Sequence, residues 1–120
     1  MQNVLQKRVH HCIIMIDNRT EFFDFDRDDL VFEWDSNKDA ANFKKHGIHF
    51  STAVKVFLDP DIIIREDLGH SREFRFDAIG KAGKILFVVC TVRGKDAVRL
   101  ISARKANAQE KAYYEYCKGY

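Results

Sequence analysis

Residues 73–104 read EFRFDAIGKAGKILFVVCTVRGKDAVRLISAR, and this stretch decides the fold class. From Glu73 to Ile79, the apolar Phe74, Phe76 and Ile79 lie largely opposite Glu73, Arg75 and Asp77. That is the near period-two alternation of a strand with one wet face. Ile85 to Val92 is apolar at nearly every position, which predicts a strand covered on both faces at the centre of the sheet. Gly80 to Lys84 reads as a hairpin loop, Arg93-Gly94-Lys95-Asp96 as a second hairpin turn, and Val98 to Arg104 as the next strand.

Just before this stretch, the β-branched run Ile62 to Arg65 is a further strand, closed by a turn from Asp67 to His70. Upstream, Leu30 to Trp34 alternates as a short strand. Ser36 with Asp39 resembles a capping pair for a helix over 36–46, with Ala40 and Phe43 on its apolar face and Gly47 as its stop. Ser51 starts a second short helix carrying Ala53, Val54, Phe57 and Leu58, which Asp59-Pro60-Asp61 ends. Downstream, Asn107 and Glu110 form an Asn-led capping box for a last helix to about Lys118. The order β-α-α-β-β-β-β-α is an α+β fold: a mainly antiparallel sheet with two N-terminal helices and one C-terminal helix.

Residues 1–29 show little helical periodicity. His11–Ile16 and Glu21–Phe25 suit either an irregular strand pair or a loosely attached arm, and the acidic run Asp24–Asp29 marks a boundary. The expected organisation is therefore an N-terminal extension over 1–29, of unassigned role, and one domain over 30–120.

The 120 residues suffice for one core, to which ten Phe contribute. No apolar run approaches the roughly 20 residues of a membrane span, and the first residues are too polar for a secretory signal, so a cytoplasmic location is expected. Cys12, Cys90 and Cys117 are odd in number and scattered, which predicts small buried hydrophobes rather than a disulfide framework. His10-His11-Cys12 lacks a second ligand group at suitable spacing, so no metal or other cofactor is expected. The net charge of +2 conceals an asymmetry: from His70 to Tyr120 there are 11 basic residues against 5 acidic ones. Such an excess suits a surface that meets a polyanion, or simply a solvated basic face.

Separated motifs carry a more specific signal: Phe32-Glu33-Trp34-Asp35, Lys45-His46-Gly47, Asp59-Pro60, His70-Ser71, Glu73, Arg75, Arg93-Gly94, Arg99 and Ile101-Ser102-Ala103-Arg104. In this order and spacing, from Leu30 to about Tyr116, the chain resembles the BrnT family. The resemblance implies a RelE-like ribonuclease toxin of a type II toxin–antitoxin pair. Its expected partner is a BrnA-type ribbon-helix-helix antitoxin, and operator DNA is expected to be met only through the antitoxin complex. Residues 1–29 depart from the short lead-in usual in that family.

Cutting RNA without metal requires a base for the 2′-hydroxyl, cations for the phosphorane-like transition state and an acid for the leaving 5′-oxygen. Glu73 and Arg75, two apart on a strand, leave from one face and suit a scissile phosphate, or a surface ion pair. His70 suits proton transfer near neutral pH, or a local hydrogen bond in its turn. Arg93 and Arg104 are permanent planar cations for phosphate, with anchoring of the last helix the other role open to Arg104. Arg99 reads as an exposed, solvated strand cation. These five, His70, Glu73, Arg75, Arg93 and Arg104, are the catalytic candidates.

Lys44, Lys45 and His46 are candidates for RNA-backbone contact, although a helix C-terminus favours cations in any protein. Trp34 reads as core. Tyr113, Tyr116 and Cys117 share a helix face and read as packing residues, leaving Tyr114 as the candidate for stacking on an unpaired base. The rival to a nuclease is a non-catalytic module that binds nucleic acid, or an antitoxin, through the same basic face.

Overall fold

The computed structural model describes residues 2–6, 12–16, 19–23, 31–67, 75–93 and 97–118. Its strands are β1 (Gln2–Gln6), β2 (Cys12–Ile16), β3 (Arg19–Phe23), β4 (Val31–Asp35), β5 (Ile63–Asp67), β6 (Arg75–Ala82), β7 (Lys84–Arg93) and β8 (Ala97–Lys105). The helices are α1 (Ser36–His46), the single turn α2 (Phe50–Ala53), which runs on into a 3-10 turn over Val54–Leu58, and α3 (Ala108–Lys118). One sheet has the order β1-β4-β8-β7-β6-β5-β2-β3. The pairs β4·β8 and β2·β5 are parallel and the other five antiparallel, so the expected α+β class with a mainly antiparallel sheet is found. The strands of the N-terminal segment add to both edges of the β4-β8-β7-β6-β5 sheet.

β7 lies inside the sheet, between β6 and β8, as its apolar run predicts. Leu86, Val88 and Cys90 face the main core with Phe32, Phe50, Phe57, Phe76 and Leu100. Ile79 and Ile63 face the other side, where Tyr114 of α3 packs on them and Phe87 borders the cluster. Trp34 is core, as expected. Cys90 is buried and Cys117 half-buried, both free thiols, while the side chain of Cys12 lies outside the described residues.

The β6–β7 connection is shorter than the sequence suggests. Both strands continue until Ala82 pairs with Lys84, and Gly83 turns the chain alone with φ +76°, a conformation that suits glycine. β-ladder bonds thus override the loop-like composition of Gly80–Lys84. Gly80 is itself buried in β6, with no room for a side chain: a Cβ there would lie 2.9 Å from Val56 Cβ and 3.1 Å from its carbonyl oxygen. The 3-10 turn packs directly onto the strand at this point.

Helix α1 departs from the expected amphipathic pattern. Its N-cap is Asp35, which accepts from the Asn37 N–H at 2.8 Å, rather than Ser36. Asp39 is turned outward along the chain instead, accepting from the Phe50 N–H at 2.7 Å, and so takes over the capping of α2 that Ser51 was expected to provide. Ala40 and Phe43 are exposed, Phe43 stacking on the His49 ring at 4.0 Å. The buried residue of α1 is Asn42. Gly47 ends the helix as expected, with φ +73° and its N–H on the Phe43 carbonyl.

The Asn107–Glu110 capping box is present in both directions: Glu110 N–H donates to Asn107 Oδ1 at 2.8 Å, and Asn107 N–H donates to Glu110 Oε1 at 2.9 Å. It fixes the start of α3 directly after β8.

Candidate functional site

The main core occupies one face of the central sheet, so the alternate residues define the other. On that second face, α3 covers Ile63 and Ile79 and leaves a polar end beyond them. Strand register places Arg75 opposite Thr91, Thr91 opposite Arg99, and Arg99 opposite Glu33, which forms a row across β6, β7, β8 and β4. One residue pair closer to α3, Arg65 of β5 stands opposite Asp77, Asp77 opposite Val89, and Val89 opposite Ser102.

A β-bulge builds this face. Between Val89 and Cys90 the register of β7 and β8 shifts, so Leu100 pairs with Cys90 and Ser102 with Val89, leaving Ile101 as the extra residue. Arg99 and Ser102 are three apart, a spacing that puts side chains on opposite faces of a regular strand. The inserted residue restores both to one face, the re-aiming that bulges perform next to sites.

Arg99 donates to Glu33 at 3.5 Å, and both side chains are largely withdrawn from water, at 14% and 19% exposure. The reading of Arg99 as a solvated strand cation is corrected accordingly. Thr91 is buried between the two arginines of the row. Beneath them on the core face, burial pushes the Cys90 thiol well up, reinforced by the charge of Asp77, which leaves it no thiolate character for nucleophilic work.

Of the expected catalytic residues, Arg75 begins β6 in this row. Arg93 ends β7, two residues beyond Thr91, with its side chain outside the described residues, and His70 and Glu73 lie wholly outside them. The segment that carries His70 and Glu73 leaves β5 at Asp67 and returns at Arg75, and these two residues are cross-strand partners.

Arg104 takes the structural of its two roles. Its two terminal nitrogens hold Glu110 at 2.8 and 2.9 Å, and its guanidinium lies 4.3 Å from the Phe87 ring centroid. The Glu110 hydrogen bond outweighs partial burial and raises the Arg104 pKa further. Burial would raise the Glu110 carboxyl, but Arg104 and the Asn107 N–H together bring it below its ordinary value. The pair locks α3 onto β8.

Tyr114 does not stack on a base. It is 1% exposed, packed on Ile63 and Ile79, and its hydroxyl donates to Asp59 Oδ2 at 2.6 Å. The ring has no free face, because α3 crosses the sheet on its Tyr114 side; Tyr116, expected to pack, is 64% exposed instead. Lys44, Lys45 and His46 fall in the last turn of α1, which packs against β8 and β4 and bonds through Asn42 to the core-facing Ala103. They are not brought to the Arg75 row. The residues that sequence reasoning passed over are Glu33, Thr91, Arg65, Asp77 and Ser102, whose proximity depends on register and bulge rather than on local pattern.

No cluster of three or more His, Cys, Asp or Glu suited to a metal occurs among the described residues, and none of their helices is long and apolar enough to cross a membrane.

A short α+β domain with an arginine-bearing row at one end of its sheet is the class of protein that fold and site define. The family model described as the ribonuclease toxin BrnT of type II toxin–antitoxin systems matches residues 34–110. The chain belongs to this BrnT family. The crystal structure of the Brucella abortus ribonuclease toxin BrnT is similar at TM-score 0.50 and 28% identity, covering 62% of this chain and 92% of that one. A search of curated proteins gives no match.

Proposed function

We propose that this chain is the toxin of a type II toxin–antitoxin module, acting in the cytoplasm as a metal-independent endoribonuclease that arrests translation and growth until a BrnA-type ribbon-helix-helix antitoxin binds it. Operator DNA is then contacted by the antitoxin within the complex. The observation that carries this reading is the row Arg75–Thr91–Arg99–Glu33, which gathers permanent cations across neighbouring strands at one end of the sheet.

In this mechanism the substrate supplies its own nucleophile. His70 or Glu73 takes the proton of the 2′-hydroxyl as its oxygen bonds to phosphorus. The P–O5′ bond breaks, and the other of the two returns a proton to the 5′-oxygen, leaving a 2′,3′-cyclic phosphate and a 5′-hydroxyl. Arg75 and Arg93 offset the charge that grows on the phosphoryl oxygens, the planar fork of arginine matching two oxygens at once. The Glu33–Arg99 pair keeps the row in place, and Arg104 positions α3 beside it.

The test is the chemistry of the ends. Single-stranded RNA incubated with the purified chain should yield 2′,3′-cyclic phosphate termini, while the same sequence in DNA should stay intact for want of a 2′-hydroxyl. Products ending in a 3′-hydroxyl and 5′-phosphate, or cleavage of DNA, would contradict it. RNA that is bound but left whole would favour a non-catalytic module.

A further inference from the structure

Arg65 is not among the residues expected to act, yet it occupies a distinctive place. It faces the same side of the sheet as Arg75, stands opposite Asp77 on β6, and is therefore the diagonal neighbour of Arg75, at a separation of about 7–8 Å. Its guanidinium carbon lies 5.3 Å from the centroid of the Tyr113 ring, at the border where α3 stops covering the sheet. The flat cation is thus held against one ring face.

Its Nε is buried and has no hydrogen-bond partner. A buried donor left unpaired costs about 1–3 kcal/mol. The terminal nitrogens of the same guanidinium lie beyond the buried Nε, and an anionic oxygen is the acceptor that a guanidinium takes best. The charge of Arg65 also reaches the Glu110 carboxyl and the Tyr113 hydroxyl, helping to lower the first and opposing the rise that burial causes in the second. Its field therefore spans the gap between the Arg75 row and α3.

We propose that Arg65, steadied by Tyr113, is a binding residue for the phosphate adjacent to the scissile one in a single-stranded RNA. Arg75 and Arg65 start from diagonal positions of neighbouring strands, a spacing on the order of one nucleotide repeat, so they are placed to take consecutive phosphates. The consequence is a preference for substrates longer than a dinucleotide, which has one phosphodiester and nothing for Arg65 to hold. This inference rests on the nuclease reading for its kinetic part, whereas its binding part stands apart from it.

The experiment compares the parent chain with Arg65→Met, which keeps the stem and removes the charge, and with Arg65→Lys. On an RNA pentamer, Arg65→Met should raise KM roughly tenfold with kcat little changed, the weight of one charge-assisted contact. Arg65→Lys should recover part of the loss, and on a dinucleotide all three should be alike. In parallel, binding of the 2′-O-methyl pentamer, which cannot be cut, is titrated with salt. The log–log slope should shrink by about 0.7 in Arg65→Met, the share of one phosphate contact on a single strand.

An unchanged KM with an unchanged salt slope overturns the proposal. So does an equal loss on pentamer and dinucleotide, which would mark a disturbed fold or a role at the scissile bond itself. If the parent cuts no RNA, the nuclease reading fails, and the salt slope alone still decides whether Arg65 holds a phosphate.

Discussion

Asn42 of α1 grips Ala103 of β8 by both edges of one amide, donating to its carbonyl at 2.9 Å and accepting from its N–H at 3.0 Å. A second donor contact reaches the Ile48 carbonyl at 2.8 Å. The side chain pairs with β8 as a single residue of a neighbouring strand would, just beyond Arg99, the last β8 residue paired with β4. Asn42→Ala leaves three buried backbone groups without partners and should destabilise the fold by about 2–4 kcal/mol. Urea unfolding should show a lower midpoint at constant slope; a change within about 0.5 kcal/mol would mean that water replaces the amide without cost.

The Arg104–Glu110 lock should make stability fall with acid. Because the folded protein holds Glu110 below its ordinary value of 4.5, the stabilisation is present above that pH and is lost as pH falls through the folded-state value. Thermal unfolding of Glu110→Gln should be less stable near neutrality and should show a shallower decline below about pH 4.5 than the parent. Parallel profiles would separate the ion pair from the acid sensitivity.

At the other end of the scale, Tyr114 should sensitise the fold to alkali. Burial first, and then the Asp59 carboxylate that its hydroxyl meets, hold its pKa above the ordinary 10.0. Stability is therefore full below that value and declines as pH rises past it, since the unfolded chain ionises first. Tyr114→Phe should cost about 1–2 kcal/mol at neutral pH and flatten the alkaline limb. Its RNA cleavage at a temperature where both proteins are folded should match the parent; a selective loss of RNA affinity would restore the stacking role.

Gly80→Ala should destabilise by about 1–3 kcal/mol, since the added methyl meets Val56 at its Cβ and carbonyl oxygen together. Gly83→Ala meets nothing within 4 Å and carries only the left-handed backbone penalty of about 1 kcal/mol. Equal losses in the two variants, measured by denaturant midpoint, would show that packing at Gly80 relaxes freely.

The strands β6, β7 and β8, the Gly47 stop and the Asn107–Glu110 box were legible because each is set by local pattern or by bonds between residues a few positions apart. The charged row was not. Glu33 and Arg99 are 66 residues apart and meet through a parallel pairing that nothing local encodes. Ser102 joins their face only because Ile101 bulges. In α1 the usual apolar face is replaced by one polar residue whose partners are backbone groups of a distant strand, so hydrophobic periodicity pointed to Ala40 and Phe43 instead. The tyrosines of α3 were misplaced for a related reason: spacing names residues that share a stripe, but packing chose Tyr114, with Tyr113 and Cys117 beside it, and left Tyr116 in solvent.

The most direct test of the central claim is the initial rate of RNA cleavage in excess EDTA, measured for the purified chain and for Arg75→Ala after both are shown to unfold cooperatively at similar temperatures. The parent should keep its rate in chelator, and Arg75→Ala should lose about 100-fold or more, as expected when a transition-state cation is removed. A parent that is silent in EDTA and revived by Mg2+, or an Arg75→Ala variant that cuts at the parent's rate, would contradict it.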